Sequence, residues 1–218
     1  MYPPQQPDKS ATFFFGMGVL GLSSYCDNNL TECSSVVSLG AETVATLHDA
    51  TLVVDGSGLI HFLQDQADGR QGLAAGGDYR IFDAAVTAWL RPFVSAGWQL
   101  VVMFDPASST AADADEALLK TEELRKRFEE KVKDVALILD QLDAGADVDS
   151  IAVPIPALSK EQGIRSMRRT SRVRVMTCAR EADPELAGFL HSTPGAYGII
   201  AQDSDFLVMS GCRYLPLR

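Results

Sequence analysis

An α/β fold, with a mainly parallel β-sheet and helices on both of its faces, is what this 218-residue sequence predicts. Three observations carry that expectation. Residues 51–55, 100–105 and 198–203 are short apolar runs, mostly rich in β-branched side chains, without the alternation of a half-exposed strand, so they read as strands buried on both faces. Helical patterns lie between them, and strand alternating with helix is the signature of parallel crossovers. Each run also ends at an aspartate: Asp55, Asp105 and Asp203.

Taken in order, residues 1–10 are rich in Pro and Gln, and residues 1–16 are expected to form a disordered extension ahead of one domain spanning 17–218. Residues 11–22 imitate a secretory apolar segment, but they lack a basic leader and a small-residue cleavage site. Gly16, Gly18 and Gly21 match a dinucleotide-binding GxGxxG after a short apolar stretch at 12–15. Its context fails, because the acidic strand end at Asp55 comes 34 residues after Gly21 instead of about 20.

After the strand at 51–55, residues 58–66 open a helix, and Gly69, Gly72, Gly76 and Gly77 mark a loop. Residues 82–95 form a second helix, 100–105 the next strand, and 115–142 a long charged helix. Residues 145–159 loosen into a loop, and 173–176 give a further strand. Asp183 followed by Pro184 predicts a helix start, with aspartate as N-cap and proline in the first helical position, running to about His191.

With 46% hydrophobic and 22% charged residues the chain suits one compact domain, and no apolar run reaches the roughly 18 to 20 residues of a membrane-crossing helix. Cys26, Cys33, Cys178 and Cys212 show no CxxC spacing, and His48, His61 and His191 are scattered, which excludes a usual zinc pattern. Any metal would be bound by oxygen, and few cysteines suit a reducing, intracellular compartment. There is no HExxH, and Ser57 and Ser204 have no placed histidine base, so nucleophilic hydrolysis has little support.

The net charge of −10 argues against a general nucleic-acid binder. Its distribution softens that exclusion. Residues 120–180 carry 13 of the 19 basic side chains against 10 acidic ones, a local +3. A solvated, ion-paired helix face explains the basic residues at 120–133 equally well.

In open parallel sheets, ligands bind beyond the carboxyl ends of the strands. Asp55, Asp105, Asp203, Asp205, Glu181 and Asp183 would crowd there from four strand ends. Such carboxylates repel one another unless a cation neutralises them, and Mg²⁺ or Mn²⁺, as two ions, could clamp a phosphodiester during in-line displacement. Each acid alone also has a structural reading, as a turn former or a helix cap. Their joint occurrence favours a shared metal site.

Residues 17–22, 52–57 (LVVDGS), 102–105 (VMFD), 180–186 (READPEL) and 202–206 (QDSDF) resemble, in order, the signatures of the flap endonuclease superfamily, a PIN-like fold. The EADPEL and DSDF wording is most similar to Asteroid-type proteins. The resemblance covers about residues 17–218 and implies a structure-specific nuclease using Mg²⁺ or Mn²⁺ on DNA or RNA with branched or single-stranded segments, with the nucleus as one candidate compartment. It implies that Asp55, Asp105, Glu181, Asp183, Asp203 and Asp205 are the catalytic, metal-binding carboxylates. Lys120, Arg125 and Arg127 would contact nucleic acid, and Arg168 and Arg169 belong to the basic residues of 160–174 that would steer phosphates.

Three features depart from the family pattern. Pro106 stands where glycine is usual, sixteen residues precede Met17, and the chain ends 13 residues after Asp205, so it is read as truncated before the family's further aspartate. A catalytically silent scaffold that binds RNA or protein is the alternative expectation.

Overall fold

A computed structural model describes residues 22–29, 49–66, 78–106, 114–147 and 158–217. The extension at 1–16, the GxGxxG at 16–21 and the glycine loop at 69–77 lie outside these residues. The described elements are α1 (Leu22–Asn28), β1 (Thr51–Asp55), α2 (Gly56–Gln66), α3 (Tyr79–Ser95), β2 (Gln99–Phe104), α4 (Ala114–Asp143), α5 (Ser159–Arg169), β3 (Val173–Thr177), α6 (Ala182–Ser192), β4 (Ala196–Ala201), a 3₁₀ turn (Ser204–Leu207) and β5 (Tyr214–Pro216).

The five strands form one sheet in the order β3-β2-β1-β4-β5, and every neighbouring pair is parallel. β1 is central. The chain fills one side of it with β2 and β3, then crosses to fill the other with β4 and β5. The loops leaving β1 and β4 therefore diverge, and a crevice opens between them at the carboxyl edge, which is where such sheets bind ligands.

Unalternating strands follow from burial on both faces. Leu52, Val54, Leu100, Val102 and Phe104 point to one face, where Leu59, Ile60 and Leu63 of α2, Phe82, Val86 and Leu90 of α3, and Met167 of α5 cover them. Val53, Val101, Met103, Ile199 and Ala201 point to the other, under Leu186 and Leu190 of α6 and Phe206. Burying each such side chain contributes about 1.5–3 kcal/mol relative to exposure, so both faces need covering before the sheet is stable.

The strands at 51–55, 100–105, 173–176 and 198–203 all appear, shifted by no more than two residues. Asp105 and Asp203 lie just past their strands instead of closing them. α5 and β5 arise where the sequence pattern signalled neither. α6 starts two residues earlier than expected: Glu181, not Asp183, occupies the N-cap, and Asp183 falls inside the first turn. Asp183 is thereby free of capping duty. At the opposite edge of the sheet, Arg172 adopts a left-handed conformation (φ 62°) and donates to Asp49 Oδ1 at 2.9 Å and to the Gly97 carbonyl at 2.7 Å.

Candidate functional site

Four strand ends deliver acids to the crevice. Asp55 is the last residue of β1, and the helix α2 starts immediately after it. Gly58 is required in that turn, because a Cβ there would collide with Asp55 Oδ2. Asp105 follows β2, and its carboxylate is held from two sides: the Ala182 N–H donates to Oδ1 at 2.9 Å, and Ser57 Oγ donates to Oδ2 at 3.3 Å. These two bonds tie the ends of β1, β2 and β3 together. Asp203 caps the 3₁₀ turn and accepts from the Asp205 N–H at 2.9 Å, which orients its carboxylate.

The electrostatics report that these groups are close. Burial pushes the Asp183 carboxyl up to about 7, and the charges of Asp203, Asp55, Asp105 and Glu181 push it in the same direction. Burial likewise raises Asp55 to about 6, against the backbone hydrogen bonds of Gly58 and Ser57, with Asp105 and Asp203 adding to the rise. Asp203 is also raised, by burial first and against the hydrogen bond it accepts from the Asp205 N–H, with the charge of Asp205 adding to the rise. Like charges gathered at partial burial hold protons that free aspartates would lose.

All six carboxylates named from the sequence thus sit at one edge of the sheet. Asp55, Asp105, Asp183 and Asp203 act on one another directly, with Glu181 beside Asp183 and Asp205 beside Asp203. Among the described residues, no group of three or more His, Cys, Asp or Glu side chains is arranged as a ready ligand set for a metal ion. The donor chemistry nevertheless suits a hard divalent cation, because every acid contributes oxygen and their shared repulsion is the feature such an ion relieves. A thiol role is disfavoured. Cys178 is buried beside Glu185 and Asp105, and its thiol is pushed up to about 12 by burial first and these charges second.

The basic candidates are placed differently. Arg125 lies on α4 and forms ion pairs with Glu122 and Glu129 of the same helix. Arg127 is exposed on α4, and the Lys120 side chain lies outside the described residues. Arg168 and Arg169 end α5, and Arg169 pairs with Asp83 of α3 at 2.6 Å. At 1.5 Å rise per residue, Arg168 stands about 12 Å along the helix from Lys160, toward the amino edge of the sheet. Lys160, at the other end of α5, reaches the Asp105 carbonyl at 3.4 Å. Its position was legible only as one charge within a basic stretch, because α5 itself was not expected.

Fold and site together define a parallel α/β protein with an acid-lined crevice at the carboxyl edge of its sheet. No known family model matches the chain, and no curated protein sequence matches it. Among solved structures it is similar to the catalytic core of Rad2 in complex with DNA substrate. In one such complex the identity is 16%, over 88% of this chain and 47% of that chain, with a TM-score of 0.48. In a second the identity is 19%, over 74% of this chain and 42% of that chain, with a TM-score of 0.44. The chain therefore spans less than half the length of these neighbours. No helix among the described residues is long and apolar enough to cross a membrane.

Proposed function

We propose that this chain is a nuclease-type domain that acts on DNA or RNA phosphodiesters with Mg²⁺ or Mn²⁺, in the manner of the flap endonuclease superfamily and its Asteroid-type members. The observation that carries the reading is the meeting of Asp55, Asp105, Asp183 and Asp203 from four strand ends, with Asp183 and Asp55 driven to about 7 and 6. Carboxylates perturbed by burial and by one another at a strand-end site mark a functional centre, and a divalent cation is the partner that would relieve their repulsion. The solved neighbours, catalytic cores of Rad2 in complex with DNA substrate, agree with this reading in fold.

Asp55, Asp105, Asp183 and Asp203 would hold one or two ions, with Glu181 and Asp205 flanking them. A bound Mg²⁺ or Mn²⁺ ion supplies Lewis acidity toward a phosphoryl oxygen and lowers the pKa of water. The chain's own part is orientation. Ser57 and the Ala182 N–H fix the plane of the Asp105 carboxylate, and the Asp205 N–H fixes that of Asp203. Neutral acids bind cations poorly, so an Asp183 that holds its proton to about 7 makes cation affinity rise with pH. The substrate class is nucleic acid with single-stranded or branched segments, in an intracellular compartment, the nucleus being the one that suits DNA.

The test is cleavage of labelled single-stranded and branched DNA and RNA at low salt with Mg²⁺ or Mn²⁺. Wild type should cut one of them and Asp203→Ala should not. A folded wild type that cuts none of them would replace this reading with a silent scaffold binding RNA or protein.

A further inference from the structure

Lys160 brings a positive charge to an edge of the sheet otherwise crowded with carboxylates. Its Nζ lies 3.4 Å from the Asp105 backbone oxygen and 5.5 Å from the centroid of the buried Phe104 ring. The carbonyl and the face of the ring both attract a cation, and together they hold the ammonium at the carboxyl end of β2. An ammonium has three N–H donors, and the carbonyl uses one. Among the described residues, no carboxylate forms an ion pair with Lys160. Arg125, Arg169 and Arg172, by contrast, are each held by carboxylates elsewhere.

The helix that presents Lys160 is locked. Gly163 lets α5 press against α2, where a Cβ would strike Ile60 Cδ1. Gln64 Nε2 donates to Ser159 Oγ at 2.7 Å inside that contact. Asp83 of α3 accepts from Gln162 at 3.2 Å, from Ser166, and from Arg169 at 2.6 Å. A flexible surface lysine loses much of its side-chain entropy on binding, whereas one seated on a fixed helix with a ring beneath it has lost part of that already.

We propose that Lys160 is a phosphate-engaging residue of the crevice, donating its remaining N–H groups to a phosphodiester of the nucleic acid beside Asp105. This rests on the nuclease reading and sharpens it, since the sequence had spread phosphate contacts over the basic residues of 120–133 and 160–174. Phosphate is the ligand chemistry that fits. An anion is needed to match the ammonium, and it must tolerate an acidic floor, which a phosphodiester does when a divalent cation screens that floor.

The test uses the full chain and a short, fluorescently labelled single-stranded oligothymidine. Binding is measured by anisotropy in Ca²⁺ over a salt series, turnover in Mg²⁺, and Mn²⁺ affinity by calorimetry. Lys160→Ala should make the plot of log affinity against log salt shallower by about 0.7, the slope carried by one contact on single-stranded nucleic acid. It should lower turnover roughly tenfold and leave Mn²⁺ affinity unchanged, while Lys160→Arg should restore the salt slope. An unchanged slope in Lys160→Ala, at wild-type thermal midpoint, overturns the proposal whether or not wild type cuts DNA. A slope lost equally in Lys160→Ala and Lys160→Arg, with both midpoints lowered, assigns the effect to packing and also overturns it. Wild type that fails to bind the oligothymidine at low salt overturns it as well. If the slope depends on Lys160 but no cleavage occurs with Mg²⁺ or Mn²⁺, the nuclease reading fails while the phosphate contact stands.

Discussion

The carboxyl edge of the sheet and the long helix α4 both concentrate charge, and the protein treats that charge in opposite ways. On α4, residues 120–133 carry both signs at helical spacing, and Arg125 is satisfied by Glu122 and Glu129 within its own helix. Its apolar side chains stay open to solvent, with Leu118 74% and Phe128 68% exposed. At the sheet edge the acids come from separate strands and are partly withdrawn from water, and burial together with neighbouring carboxylates raises Asp55, Asp183 and Asp203. A helix neutralises itself locally, whereas the sheet edge needs a partner from outside. Charge whose pKa is shifted by burial and by like neighbours marks function more sharply than charge density does.

The contrast is broken most severely by removing an acid from the edge. Asp203→Ala should reduce metal-dependent cleavage roughly a hundredfold or more, because an ion that loses a ligand loses several kcal/mol of transition-state stabilisation. Gly58→Ala comes next, since the added Cβ strikes Asp55 Oδ2. Displacing an acid by about an ångström should weaken Mn²⁺ binding about 10- to 100-fold in calorimetry. Gly56→Ala perturbs the packing beneath the site. Its Cβ would lie 2.6 Å from Phe104 Cζ, and that ring is fully buried, so denaturant midpoints should report a loss of about 1–3 kcal/mol.

A pH series sharpens the comparison without mutation. Asp183 and Asp55 have folded pKa values near 7 and 6, above the unfolded 3.8. The folded state therefore binds more protons than the unfolded one between these values, and the stability they contribute is present below about 4 and lost as pH rises through 6 and 7. Without divalent cations, the thermal midpoint should fall from about pH 5 to about pH 8. Adding Mg²⁺ should restore more of it at the higher pH, and a metal-free midpoint that rises over this interval would contradict the clustered-carboxylate picture. The smallest effect belongs to α4. Phe128→Ser should change stability by no more than about 0.5 kcal/mol, as expected for an exposed position, and a larger loss by chemical denaturation would mean that this face packs against something.

How much was legible differs between residue patterns. The strands at 51–55 and 100–105 could be read because burial on both faces leaves an unbroken apolar run. β5 was not legible, because three residues at the sheet edge carry no periodicity. α5 was hidden for another reason. Its sequence, Ser159–Arg169, is dominated by charged and polar side chains, and its buried positions are Ser159, Gly163, Ser166 and Met167. Small residues that let a helix press close leave no apolar stripe to recognise. The helix start at Asp183-Pro184 was displaced because Glu181 takes the N-cap and its neighbour's N–H is drawn to Asp105. That hydrogen bond joins residues 77 apart, beyond the reach of a local capping rule.

The amino-acid order by itself determined the parallel α/β class and the placing of six acids at or after the ends of four of the strands, because both depend on local pattern: apolar runs that form buried strands, and acids that end or follow them. Only the tertiary structure decided that Arg168 and Arg169 stand toward the amino edge of the sheet and that Lys160 reaches the carboxyl end of β2. Those outcomes depend on the strand order and on which helix packs where. Both arise from contacts between residues far apart in the chain, which no local spacing encodes.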